Sequence, residues 1–324
     1  MPRAPAFWFR DGWAAWLLSP LSAIGAAITA RRVARPGWRA PVPVICCGNV
    51  TVGGAGKTTV VLDLAQRLNA RGHAVHILLR GYGGRSLGVH RVLAGDTAAE
   101  VGDEALLLAA VAPTWTGADR AASARAAVAA GATVLLMDDG LQNPSLCKDF
   151  SFLVVDGATG FGNGRVMPAG PLREPVGVGA ARCQAAVAIG APMPLPAWLP
   201  VLRASLVQGP EIAALRGRRV LAFAGIAYPD KFFTPLAAAG ADLVRRMPFP
   251  DHHPFSRREL ESLLADAVRL DAIPVTTPKD AVRLPADIRA RVQVVGVGLA
   301  WDDEAALMAL LDGIVAPGQS GAEN

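Results

Sequence analysis

Short, uninterrupted apolar runs alternate with helix-period segments along most of this chain. Residues 42–47, 74–79, 133–137, 152–156 and 185–189 are dominated by apolar side chains and read as buried strands. Between them, residues 60–68 carry apolar positions at helical spacing, 105–112 form an apolar helical run, and 121–130 an alanine-rich one. Strands without polar alternation, separated by helices, predict an α/β fold with a doubly wound, mostly parallel sheet. Pro192, Pro194, Pro196 and Pro200 interrupt the pattern, after which residues 201–206 read as an extended connector. A second series then starts: a strand-to-turn unit at 219–226, a helix at 260–270, strands at 273–277 and 292–297, and a final helix at 304–311. The expected organisation is an N-terminal segment 1–40, a larger domain 41–209 and a smaller α/β domain 210–324.

The N-terminal pattern is of another kind. Residues 13–30 carry no charge, follow Phe7, Trp8, Phe9 and Arg10, and precede Arg31, Arg32, Arg35 and Arg39. Aromatic rings suit a lipid headgroup zone, and trailing arginines suit anionic lipid. The length would just permit a membrane span, but Ser19-Pro20 breaks the run and Ser, Thr and Gly dilute it. An interfacial helix lying on the membrane is therefore favoured over a helix packed on the protein's own core and over a true span. A secretory signal is disfavoured, because a nucleotide-binding pattern begins soon after the arginines.

Composition supports the lipid reading. Over 324 residues, 52% are hydrophobic and the mean hydropathy is +0.33, high for a soluble protein. The net charge of +5 suits anionic lipid, a phosphorylated substrate or nucleic acid without choosing among them. Nucleic-acid binding ranks last, because no aromatic-basic repeat accompanies the charge. Cys46, Cys47, Cys147 and Cys183 have no C-x-x-C spacing, so they read as core residues of a reducing compartment rather than disulfides or a zinc site.

The chemistry concentrates at Thr51-Val52-Gly53-Gly54-Ala55-Gly56-Lys57-Thr58-Thr59, between the first strand and the first helix of the larger domain. That order makes it a phosphate-binding P-loop: glycines wrap the phosphate, the helix start offers free N–H groups, and Lys57 reaches the β/γ oxygens. Thr51 stands where the first glycine of the usual pattern would be. Asp138 and Asp139, at the end of an apolar strand, are candidate Mg²⁺ ligands together with the Thr58 hydroxyl. Residue types alone do not decide which acid is nearer the metal, and a D-D-G strand end can also be a solvated turn.

Other candidates are weaker singly. Asp103-Glu104 reads as an acidic helix cap or as an acid facing the phosphate crevice. Asp251-His252-His253 between Pro250 and Pro254 is a rigid turn carrying surface imidazoles or a proton-exchanging element. Arg165 and Arg173 lie in one long loop, where they can meet phosphate or carboxylate oxygens or pair with Glu174. With Arg80, Glu104, Arg120 and Gln142, they form the candidate substrate-binding set.

The motifs together resemble the tetraacyldisaccharide 4′-kinase family of lipid A synthesis. The likeness rests on V-P-V-I-C-C-G-N-V-T-V-G-G-A-G-K-T at 42–58, R-G-Y-G-G at 80–84, V-G-D-E at 101–104 and D-D-G-L-Q at 138–142. It continues in P-A-G-P-L-R-E-P at 168–175, F-A-G-I at 223–226, F-P-D-H-H-P-F at 249–255 and T-P-K-D at 277–280. Asn143 and Pro278 depart from residues common in the family. The resemblance implies an ATP- and Mg²⁺-dependent kinase that phosphorylates the 4′-hydroxyl of a tetraacylated glucosamine disaccharide 1-phosphate. It implies action on that lipid A precursor at the cytosolic face of the inner membrane; no protein partner is implied, and no nucleic acid is expected. It further implies that Asp103, paired with His252, removes the hydroxyl proton while Lys57 holds the phosphates. With His252 in the second domain, interdomain closure would assemble the site. The rival is a membrane-associated partition-type ATPase switch, whose signature lysine near the loop start is missing at Asn49–Val52. A GTP-dependent switch is weaker, since Lys279-Asp280 lacks N-K-x-D spacing.

Overall fold

The apolar runs become the centre of a large twisted sheet. The computed structural model describes residues 5–10, 12–85 and 88–316, so the outermost ends of the N-terminal segment and of the C-terminal domain lie outside the described residues. The first eight strands are β1 (Val44–Gly48), β2 (Val75–Leu79), β3 (His90–Arg91), β4 (Thr114–Thr116), β5 (Val134–Asp138), β6 (Phe150–Asp156), β7 (Ala185–Ile189) and β8 (Val201–Gln208). The remaining five are β9 (Arg219–Ala224), β10 (Asp242–Pro248), β11 (Ile273–Thr276), β12 (Gln293–Val294) and β13 (Val297–Trp301). The larger sheet runs β13-β8-β7-β6-β1-β5-β2-β4-β3, and a four-stranded sheet runs β10-β9-β11-β12. All pairings are parallel except β13 with β8 and β3 with β4, at the two edges of the larger sheet.

Burial on both faces explains the absence of polar alternation. On one face Ile45, Ile77, Leu136 and Phe152 pack against Val60, Val61 and Leu64 of helix α2 (Lys57–Ala70). On the other, Val44, Cys46, Leu78, Leu135 and Met137 pack against Ala124 and Ala127 of the helix Arg120–Ala129. Parallel register aligns the strand ends: Cys47 pairs with Asp138 and Leu79 with Thr116. The loops that follow these strands therefore emerge along one carboxyl edge, where ligands of open α/β sheets bind.

Three elements differ from their sequence patterns. Residues 201–208 are a strand, β8, rather than a connector, because β7 and β13 pair with its two edges. The strand expected at 292–297 splits into β12 and β13, which join different sheets. The chain from Val297 onward thus returns to the larger sheet, where Leu299, Leu307 and Leu311 share a core with Val60 and Leu64. Third, Ser19-Pro20 does not interrupt the N-terminal helix, α1 (Trp13–Val33), which continues through Pro20. Proline removes one helix hydrogen bond, but tertiary bonds brace this turn. Arg165 donates to Ser19 Oγ at 2.9 Å and the Ala169 amide donates to Ser22 Oγ at 3.1 Å.

Candidate active site

Helix α2 begins at Lys57, with Gly56 as its left-handed N-cap at φ 81°. The left-handed conformation favours glycine there, and a Cβ would in addition lie 2.6 Å from Ile189 Cδ1, so the end of that side chain would have to shift. Thr51 needs no such freedom. It pairs with Leu172 in an antiparallel bridge, while the Val52 amide donates to Pro171 O at 2.8 Å. The P-A-G-P-L-R-E-P loop thus holds the entry to the P-loop extended, which accounts for the missing first glycine. The buried Lys57 ammonium donates to Asn49 Oδ1 at 3.1 Å and lies 3.6 Å from Asp139 Oδ1. Asn49 in turn donates to Thr51 Oγ1 at 2.9 Å. Val52, Gly53 and Gly54 are exposed, Ala55 is buried, and Thr59 lines a groove of about 200 Å³ with Leu62, Leu107 and Val297.

The two acids after β5 are in different situations. Thr58 Oγ1 donates to Asp138 Oδ2 at 2.9 Å, while the other oxygen, Oδ1, is buried without a hydrogen-bond partner. Burial pushes the Asp138 carboxyl up to about 7; the charges of Glu104 and Asp139 add to this, while Lys57 and the Thr58 bond oppose it. Asp139, at φ 54°, has both oxygens bonded to Arg173, at 2.8 and 2.9 Å. Burial alone would raise its pKa, but Lys57 and Arg173 outweigh it and hold it below the ordinary carboxylate value. An unpartnered buried carboxylate oxygen beside a threonine hydroxyl fits a hard divalent cation that completes its shell with phosphates and water. On this test Asp138 and Thr58 fit Mg²⁺, whereas Asp139 is committed to Arg173.

Asp103 starts the helix Asp103–Ala109, directly after Gly102 at φ 88°. A Cβ at Gly102 would come 2.7 Å from the Tyr82 carbonyl oxygen, so the R-G-Y-G-G loop packs directly on the residue that precedes the acid. Gly102→Ala is expected to lower stability by at least about 1–2 kcal/mol, measured as a lower Tm; an unchanged Tm would show that the two loops part easily. The acid itself is 6% exposed. Its Oδ1 accepts from the Glu104 amide at 3.0 Å, and its Oδ2 lies 2.8 Å from His252 Nδ1. Burial favours the protonated acid, but the His252 bond and the charges of Lys279, His252 and Arg283 outweigh it and lower its pKa.

His252 comes from the smaller sheet's side of the molecule and is positioned by its own backbone. At φ 57°, its amide donates to Gly225 O at 3.1 Å, in the turn after β9. The Gly225 amide donates to buried Asp280 at 3.0 Å, and Arg283 donates to Gly225 O at 3.1 Å and His253 O at 3.3 Å. F-A-G-I, F-P-D-H-H-P-F and T-P-K-D therefore meet at one point. Lys279 Nζ lies 3.4 Å from His252 Nε2.

Comparison with known proteins gives the chain its family. A family model described as Tetraacyldisaccharide-1-P 4'-kinase matches residues 14–316. The chain belongs to this kinase family. It is 58% identical to the tetraacyldisaccharide 4'-kinase of Gluconacetobacter diazotrophicus, covering 95% of this chain and 97% of that one. It is 55% identical to the protein of that description from Rhodospirillum centenum, covering 99% and 98%. Among solved structures, it resembles an "apo" form of LpxK from Aquifex aeolicus in complex with ATP. That match has a TM-score of 0.77 at 27% identity, covering 93% of this chain and 99% of the other. The partition-type ATPase reading is not favoured.

Within this kinase, the remaining candidates occupy varied positions. Arg80 is exposed at the head of the R-G-Y-G-G loop. Glu104 lies close enough to Asp138 for its charge to raise that acid. Arg120 is buried at the start of its helix, donates to Gly117 O, and is pushed down to about 10, chiefly by burial. Gln142 donates to Asn49 O and to Glu174 Oε1, each at 2.8 Å, and accepts from Arg173 at 3.3 Å. Arg165 lies against α1 through Ser19, apart from the cluster around Lys57. Asn49, Glu174, Arg182, Lys279, Asp280 and Arg283 also belong to the site, although the sequence alone marks none of them as a site residue. Glu174 is 1% exposed and bonded to both Arg182 and Gln142, so it anchors the P-loop's support rather than Arg173.

Proposed function

We propose that Asp103 is the general base in transfer of the ATP γ-phosphate to the 4′-hydroxyl of a tetraacylated disaccharide 1-phosphate. This is the reaction of the chain's family, in lipid A biosynthesis. One observation carries the assignment: a buried carboxylate, next in the chain to Glu104, whose charge reaches Asp138, is hydrogen-bonded at 2.8 Å to an imidazole that arrives 149 residues later in the chain. A sugar hydroxyl is a poor nucleophile, and phosphoryl transfer depends on positioning and charge neutralisation. Asp103 stays ionised at neutral pH and receives the hydroxyl proton. His252 and the Glu104 amide fix the carboxylate's orientation. Residues 51–59 offer the phosphates their amides, and Lys57 exchanges Asn49 and Asp139 for phosphate oxygens. Mg²⁺, held by Thr58 and Asp138, supplies charge neutralisation on the phosphates when bound. Asp139 orients Lys57 and Arg173. Arg80 is offered to a substrate phosphate, Glu104, Arg120, Gln142 and Arg173 shape the surrounding pocket, and Arg165 braces α1 through Ser19 where the lipid would approach.

The segments are assigned accordingly: a membrane-contacting helix within 1–40, the nucleotide-binding domain at 41–209, and a closing domain within 210–324 whose last strand and helix pack on the larger sheet. Closure brings His252 to Asp103. α1 lies along the cytoplasmic surface of the inner membrane. Trp13, Trp16, Leu17, Leu21, Ile24 and Ile28 are exposed on one stripe, and Arg31 and Arg32 close the helix. Its other side is bonded to Arg165 and Ala169, so a full span would drag a polar loop into hydrocarbon. Leu17→Gln and Leu21→Gln together should weaken vesicle binding, each removing roughly 1.5–3 kcal/mol of apolar transfer. Undiminished flotation with anionic vesicles would place the anchor elsewhere.

The function is tested by supplying γ-labelled ATP with and without the disaccharide lipid. Label is expected on the lipid, and release solely as inorganic phosphate would overturn the reading.

A further inference from the structure

We propose that Lys279 is a positioning residue that fixes the tautomer of His252 and thereby the catalytic state of Asp103. This rests on the reading of Asp103 as base and His252 as its partner. Three side chains, Lys279, His252 and Asp103, form a line of donors and acceptors. An ammonium has hydrogens to donate and no lone pair, so the 3.4 Å contact between Lys279 Nζ and His252 Nε2 requires Nε2 to accept. A neutral imidazole that accepts at Nε2 carries its proton at Nδ1. Nδ1 lies 2.8 Å from Asp103 Oδ2, which the imidazole then meets as a donor. The opposite tautomer would place two lone pairs against each other at that distance. The lysine therefore acts through the histidine on the base, and its charge also lowers the Asp103 pKa directly.

The surroundings hold Lys279 to this task. Helix Pro278–Ala281 is capped by Thr277, whose hydroxyl donates to Asp280 at 2.6 Å, and Asp280 is fully buried and paired with Arg283. The residue before the histidine, Asp251, presents Oδ2 at 3.7 Å from His252 Nε2. Asp251 alone would favour a proton on Nε2, the wrong tautomer, and Lys279 opposes it. The groups acting on the pair are thus Asp251, Lys279 and Arg283 from the smaller sheet's loops, and Glu104 beside Asp103.

The test uses full-length protein in detergent micelles, labelled with ¹⁵N-histidine, with the His252 resonance assigned by its loss in His252→Gln. In the native protein, Nδ1 should be protonated and Nε2 unprotonated at neutral pH. In Lys279→Met the Nε2–H form should appear and kcat should fall about 10- to 100-fold, the range for residues that orient a functional histidine. The KM for ATP should stay within about twofold, because the phosphate-binding loop is untouched. The acid limb of the pH–rate profile should move upward, since one charge that holds Asp103 low is gone. Lys279→Arg, still an obligate donor, should keep both the tautomer and most of the turnover. Protonated Nε2 in the native protein would overturn the proposal without need of any variant. So would Lys279→Met with unchanged His252 signals, or with its loss expressed in the KM for ATP. If Asp103→Asn retained turnover, the underlying reading would fail instead, a result independent of the histidine spectrum.

Discussion

Asp103→Asn is expected to lower kcat by about 10²–10⁴-fold, the usual contribution of a positioned general base, while the KM for ATP stays nearly unchanged. Asparagine is nearly isosteric, and its one oxygen can keep the bond from the Glu104 amide while its NH₂ takes the place of the oxygen that meets His252, so the local fold is retained but the imidazole loses its acceptor. What disappears is the capacity to take the hydroxyl proton. The native pH profile gives a second reading. The His252 bond and the charges of Lys279, His252 and Arg283 outweigh burial and hold Asp103 below the ordinary carboxylate value. The base is active when deprotonated, so activity persists down through mildly acidic pH and falls only as pH passes below that lowered value. The check is lipid phosphorylation at saturating ATP and Mg²⁺. Turnover near the native level in Asp103→Asn would reject the residue as base.

How far this site was legible in the sequence depends on the range of each interaction. The P-loop was legible because strand, glycine loop and helix are contiguous. β1, β2, β5 and β7 were legible because burial on both faces leaves continuous apolar runs. β10 was not: Asp242–Pro248 is an edge strand, largely exposed, carrying Arg245 and Arg246 and offering no periodic signal. β8 failed likewise, since its pattern is mostly exposed and its identity as a strand comes from neighbours distant in sequence. The meeting of Asp103 and His252 could not be derived from residue types, which allowed each to be a cap or a turn. Only the family resemblance joined them. Asn49, Glu174 and Arg182 were missed because their role is to hydrogen-bond other site residues, and nothing local marks a side chain buried by a remote partner. Thr51 reads as a defect in a one-dimensional motif and ceases to be one when the 165–173 loop pairs with it.

Asp138→Asn should raise the Mg²⁺ concentration needed for turnover and reduce kcat by about a hundredfold or more, the scale set by removing one preorganised charge-stabilising group. Asp139→Asn should instead loosen Lys57 and Arg173 and leave the Mg²⁺ requirement close to native. The distinction comes from bonding: Asp138 keeps a buried oxygen without a partner beside Thr58, while Asp139 gives both oxygens to Arg173. The Asp138 carboxyl, pushed up to about 7 by burial and by Glu104 and Asp139, adds a pH signature. Mg²⁺ binds the ionised form and must displace a proton below that value, so apparent Mg²⁺ affinity should weaken by up to about tenfold per pH unit on the acid side. At limiting Mg²⁺ the acid limb of activity should therefore stand near neutrality, and saturating Mg²⁺ should push it down toward the limb set by Asp103. Isothermal titration with Mg²⁺ and a non-hydrolysable ATP analogue across pH measures both effects. An affinity that is flat through neutrality, or a Mg²⁺ requirement raised by Asp139→Asn and not by Asp138→Asn, would transfer the metal role to the second acid. In that event Arg173 would have to release Asp139 before each turnover, and Arg173→Ala would tighten Mg²⁺ binding rather than leave it unchanged.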